Sequence, residues 1–155
     1  MNKQIKQPQI NLHAVGVCLD EGEMVQKAGC AIRMDYIDEF NRSSSRIISH
    51  PFGSADSQWS NIQAARMALA SVLRPFRKTA AVTLSVVPEV VNLILKNTKP
   101  DKYADIVVLL RQWTGFFTTF KLIPTPAENI LSYSDAKICA ETQRATDSGT
   151  KITNY

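Results

Sequence analysis

Three cysteines and two histidines are the residues of this chain best able to hold a soft metal, and their spacing argues against it. A zinc site draws its ligands in closely spaced pairs. Here Cys18, Cys30, Cys139, His13 and His50 stand singly among apolar neighbours. The cysteines read as small buried hydrophobes in a reducing compartment, which places the chain in the cytoplasm. The histidines read as structural residues of strands on apolar ground. The cations offer a different chemistry. Eighteen Lys and Arg against 14 Asp and Glu give a formal net charge of +4, a balance that favours anionic partners. They are spread along the chain, and the one tight cluster, Arg74, Arg77 and Lys78, ends a helix, where cations also complement the carboxyl-terminal dipole. If nucleic acid is bound, the contacting cations are expected to be Lys27, Arg33, Arg66, Arg74, Arg77 and Lys78, with affinity falling steeply as salt is added. Trp59 and Trp113 fit the core faces of helices better than base-stacking platforms.

The elements that must position these residues follow from periodicity. Ile10 to Leu19 mixes apolar and small residues in the manner of a strand buried on both faces. Asp20 to Glu23 forms a turn, and Val25 to Tyr36 reads as a second strand, joined to the first as a hairpin. Polar Asp38 to Ser45 breaks the pattern before a short third strand, Arg46 to Phe52, which Pro51 ends or pushes to a sheet edge. Ser54 or Asp56 then caps a helix in which Trp59, Ile62, Ala65, Leu69, Val72 and Phe76 recur at helical spacing, with Gln58, Asn61 and Arg66 turned toward water or a neighbour. Ala80 to Val87 is an apolar strand running directly into a helix opened by Pro88 and ending at Leu95. A further helix spans Asp101 to Trp113 and is closed by Gly115. Phe116 to Ile123 alternates as a fifth strand, and after a proline-containing loop Ser134 caps a last helix, Asp135 to about Ala145.

A chain of 155 residues with 45% hydrophobic content buries one good core. The expected organisation is a polar tail over residues 1–9, one domain over 10–145 and a polar tail over 146–155. No apolar run approaches the roughly 20 residues that span a bilayer, and Met1 to Gln9 lacks the apolar core of a secretory signal, so no membrane partner is expected.

Three strands, a long helix, a strand, two helices, a strand and a final helix make an α/β domain. In order and spacing it resembles the ribonuclease H superfamily from about Ile10 to Ala145. Asn61 precedes Ala64, Ala65 and Ala68 much as in that family's first helix. The stretch "VTLSVVPEVVNLIL", Val82 to Leu95, resembles its fourth strand and the helix entered from it. "YSDAKICA", Tyr133 to Ala140, resembles its last helix. The implied fold is a five-stranded mixed sheet, three antiparallel strands then two further strands, flanked by helices.

In active members of the family, four carboxylates hold two divalent metals that activate a water against the RNA strand of an RNA/DNA hybrid. The resemblance puts Asp20 near the first of these carboxylates and Asp135 on the last. These residual carboxylates are the catalytic candidates, and would be metal ligands for Mg2+ or Mn2+ if the chain is active. The expected glutamate falls on Ala64, or on Gln63 with a one-residue slip, and the remaining aspartate on Val87. On the residues alone, Asp20 also reads as a turn residue and Asp135 as a first-turn or cap residue.

The resemblance thus implies a domain more depleted in catalytic residues than active, without a resident cofactor, that binds nucleic acid (RNA, DNA or hybrid) or scaffolds a nucleic-acid-processing complex. One alternative is a divergent nuclease cleaving RNA in RNA/DNA hybrids, with missing ligands supplied by Glu21, Glu23 or Glu128. Another is a protein-interaction or oligomerisation module on the same scaffold, since a fold alone does not set function.

Overall fold

The computed structural model describes residues 7–19, 27–52, 55–96 and 102–147. β1 (Gln9–Leu19) and β2 (Lys27–Ile37) pair antiparallel from Gln9 against Ile37 to Leu19 against Lys27. β3 (Ser43–Phe52) pairs antiparallel with the far side of β2. β4 (Ala81–Val86) lies parallel to β1, and β5 (Thr119–Pro124) parallel to β4, which gives the order β3-β2-β1-β4-β5. Among the described residues, five α-helices accompany the sheet: α1 (Ser57–Ala70), α2 (Arg74–Thr79), α3 (Pro88–Leu95), α4 (Ala104–Thr114) and α5 (Tyr133–Asp147).

Two glycines show why the sheet is sandwiched. Gly16 and Gly29 sit on opposite faces of the β1–β2 ladder. A Cβ on Gly16 would collide with the Ser60 backbone of α1, and one on Gly29 would lie 2.8 Å from the Ala140 nitrogen of α5. Each glycine admits a helix to its own face of the sheet. Ile10, Leu12, Ile62, Leu69, Leu84 and Leu110 are almost fully buried, on the side shared by α1, α3 and α4. Each such side chain contributes roughly 1.5–3 kcal/mol relative to exposure.

Several element boundaries differ from the periodicity reading. The helix beginning after Asp56 does not run on to Phe76. It ends at Ala70 and restarts as α2, because the Pro75 ring would clash with the Ser71 carbonyl and has no N–H to offer it. Asp56 is its cap, accepting a hydrogen bond from the Trp59 N–H at 2.7 Å. Ser43 to Ser45 belong to β3, since an edge strand needs ladder hydrogen bonds rather than apolar side chains. α4 starts at Ala104, after Tyr103 takes a left-handed backbone with φ of 57°. β5 starts at Thr119, which leaves Phe116 outside the strand. α5 begins at Tyr133, so Ser134 is not its cap. The residue ahead of it is Ser132, whose hydroxyl donates to the His13 carbonyl at 3.0 Å and ties α5 to β1. Ser54 and the expected turn at Asp20 to Glu23 lie outside the described residues. Among those described, no helix is long and apolar enough to cross a membrane.

Candidate functional site

The carboxyl-terminal ends of β1 and β4 and the start of α5 are where the resemblance places metal ligands. Among the described residues, the positions it assigns on α1 and after β4 are apolar, and only Asp135 at the start of α5 carries a carboxyl. Ala64, on the inner face of α1, has no exposed surface, and Val87, which precedes the first turn of α3, is 9% exposed. Asn61, expected to turn toward water or a neighbour, faces a neighbour and is 7% exposed. Its Oδ1 accepts from the Gly16 N–H at 2.9 Å and its Nδ2 donates to the Ser57 carbonyl at 2.9 Å. The β1–β4 ladder ends at His13 against Ser85, so the Gly16 N–H needs this acceptor, because a buried N–H without one is costly.

Asp135 is half-buried at the third position of α5, where a carboxylate is favoured by the helix dipole. It lines a shallow groove with Ser49, Pro51, Ile138, Cys139 and Thr142, between α5 and the edge strand β3. Asp20, Glu21 and Glu23 lie outside the described residues, and Glu128 is exposed in a single 3-10 turn at Ala127–Asn129. Among the described residues, no three of His, Cys, Asp and Glu converge on one point. The side chains of Ala64 and Val87 have no lone pair to give, so the described residues do not fit a pair of divalent cations.

The six candidate cations fall in separate places. Lys27 opens β2 and Arg66 bonds Gln63 on α1, its Nε 2.7 Å from Oε1. Arg33 is paired with Asp35, Nε to Oδ1 at 2.9 Å. Only Arg74, Arg77 and Lys78 come together, lining one groove with Gly115 and Phe116.

A polar network escaped the sequence reading. His13 does not sit on apolar ground: on the α5 side of the sheet its Nε2 lies 3.3 Å from Asp35 Oδ2, and Ser45 donates to Asp35 Oδ1 at 2.6 Å. Burial lowers the His13 pKa against the opposing pull of Asp35. Burial works to raise Asp35, but hydrogen bonds from Ser45 and Arg33 and the charges of Arg33 and His13 outweigh it and hold the carboxyl below its usual range. The alternation His13, Arg33, Asp35 carried the signal, but only the strand register reveals it. His50 is exposed on β3, with its ring 5.2 Å from that of Phe52. Trp113 is half-buried against the core, as expected, whereas Trp59 is half-buried with its ring 5.2 Å from that of Tyr103. Cys30 is buried and its thiol is pushed up to about 12 by burial, whereas Cys18 and Cys139 are only partly covered.

No model of a known protein family matches the chain, and no curated protein does. Solved structures do match. Ribonuclease H1 of the halophilic archaeon Halobacterium salinarum is 11% identical with a TM-score of 0.62, over 89% of this chain and 98% of that one. The N-terminal ribonuclease H domain of a Mycobacterium tuberculosis protein is 14% identical with a TM-score of 0.64, over 91% and 98%. A compost-derived ribonuclease H1 in complex with an RNA/DNA hybrid is 12% identical with a TM-score of 0.63, over 86% and 98%. The fold is ribonuclease H-like, with the five-stranded mixed sheet of three antiparallel and two further strands flanked by helices that was expected from the sequence.

Proposed function

We propose that this chain is a single ribonuclease H-like domain, residues 10–145, that binds nucleic acid or scaffolds a nucleic-acid-processing complex in the cytoplasm and lacks a complete metal site. The observation that carries this reading is the pair Ala64 and Val87, buried and apolar where the resemblance calls for carboxylates. Two divalent cations a few ångströms apart repel strongly unless several carboxylates neutralise them, so losing half the ligands removes the site rather than weakening it. The net charge of +4 supports an anionic partner, and one structural neighbour is solved with an RNA/DNA hybrid.

The test is incubation of the purified protein with a labelled RNA/DNA hybrid in Mg2+ and in Mn2+, beside Asp20→Asn and Asp135→Asn. No cleavage, with salt-sensitive binding, is the expected result. Cleavage abolished by both substitutions would establish a divergent nuclease instead. Neither cleavage nor binding would favour a protein-interaction module.

A further inference from the structure

The groove holding Arg74, Arg77 and Lys78 encloses about 510 Å3 and has Phe116 on its wall. Phe116 is 54% exposed, although a ring of that size gains by burial. The turn that carries it is held firmly. Phe116 and Phe117 donate backbone hydrogen bonds to Trp113 and Thr114 at 3.0 and 3.4 Å, and Thr118 donates to the Arg77 carbonyl at 3.0 Å. Phe117 turns inward and stacks on Phe120 at 5.3 Å, which leaves its neighbour Phe116 facing out. Arg77 is half-buried with Nε bonded to the Val72 carbonyl at 3.2 Å, while Arg74 and Lys78 are exposed. Among the described residues, none of the three is ion-paired with a carboxylate. A second groove abuts the first at Gly115 and brings in Lys121.

We propose that this groove binds single-stranded nucleic acid, with a base stacked on Phe116 and the flanking phosphates held by Arg74, Arg77 and Lys78. The inference rests on the nucleic-acid reading above and locates the contact. A fixed, outward aromatic ring beside cations is the chemistry of sequence-tolerant strand binding, in which the ring takes the base face and the cations track the backbone. Duplexes present phosphates but no free base face, so the ring selects unpaired strands. The groove lies before the first residues of β4 and β5, whereas Val87 follows the last residue of β4, about 20 Å away along the strand. It is therefore separate from the region where the resemblance places carboxylates.

The experiment measures binding of the full chain to short labelled oligouridylate, oligothymidylate and an RNA/DNA hybrid by fluorescence anisotropy over a range of salt, with poly-glutamate as competitor. Single strands should bind more tightly than the hybrid, and the two single-strand arms separate RNA from DNA as the source. Phe116→Ala should weaken single-strand binding roughly 5- to 100-fold without changing the salt dependence, while Phe116→Trp preserves it. Arg74→Ala with Lys78→Ala should weaken binding and flatten the slope of log affinity against log salt by about 1.4. All these side chains except Phe116 are charged surface groups, and circular dichroism melts verify the fold of each variant. Salt-sensitive binding that none of the substitutions alters would overturn the groove and leave the proposed function standing. Absence of binding by the unsubstituted protein would overturn both. Equal affinity for the hybrid, unaffected by Phe116→Ala, or efficient displacement by poly-glutamate, would show a plain anion patch and sink the stacking role.

Discussion

At the scale of single residues, two positions where the resemblance calls for carboxylates are packing positions in this chain. Ala64 touches the core with no exposed surface, and Val87 is nearly as buried. Introducing the carboxylate that the resemblance calls for, as Ala64→Glu or Val87→Asp, should therefore destabilise the protein by about 3 to 5 kcal/mol, because the charge enters a site with no partner. A fall in the urea midpoint at neutral pH measures it, and unchanged stability would mean that the pocket is wetter than its burial implies. The His13–Asp35 pair makes a second prediction. Since burial holds His13 below its ordinary 6.5, the unfolded chain takes up a proton that the folded chain resists, so stability declines as pH falls from 6.5 toward the lower folded value. Asp35 is also lowered, so its contribution is present above 3.8 and is lost as pH drops below that value. Melting curves between pH 8 and about 3 should show both declines, and His13→Gln should remove the first while sparing the second.

At the scale of elements, one carboxylate organises two helices. Asp56 caps α1 through the Trp59 N–H, and its Oδ2 accepts from the Tyr103 hydroxyl at 2.7 Å at the start of α4. That hydrogen bond, with burial, raises the Tyr103 phenol to about 12. The Trp59 and Tyr103 rings meet at 5.2 Å over the same junction. Asp56→Ala should cost about 1 to 2 kcal/mol from the cap, with a further contribution from the lost tie to α4. Tyr103→Phe should cost about 1 kcal/mol and remove the loss of stability expected as pH rises from 10 toward 12. Chemical denaturation of the two single variants and the double variant isolates the tie as their coupling energy, and strict additivity would show that the tie contributes nothing.

At the scale of the whole molecule, protection should follow sheet position. β1 lies between β2 and β4 with a helix on each face, while β3 is the outer strand and most of its residues are exposed. Native-state hydrogen exchange should therefore find the amides of β1 and β4 opening only near global unfolding, and those of β3 exchanging with far smaller free energies. Uniform protection across the five strands would mean that β3 is covered in solution by another chain.

The sequence by itself determined the number and chain order of the strands, a helix capped at Ser54 or Asp56, the closure at Gly115, the helix opened by Pro88 and the apolar identities of Ala64 and Val87. These depend on local periodicity, on proline and glycine geometry and on residue identity, all of which are written along the chain. The hairpin register, the burial of Asn61, the His13–Asp35 network and the meeting of Arg74, Arg77 and Lys78 with Phe116 were decided by tertiary structure. Each joins residues brought together only by strand pairing or by the packing of one element on another. Phe116 shows the difference. Its alternation with neighbours fits a strand, yet the backbone turn tied to Arg77 takes it out of β5 and leaves its ring beside the cations.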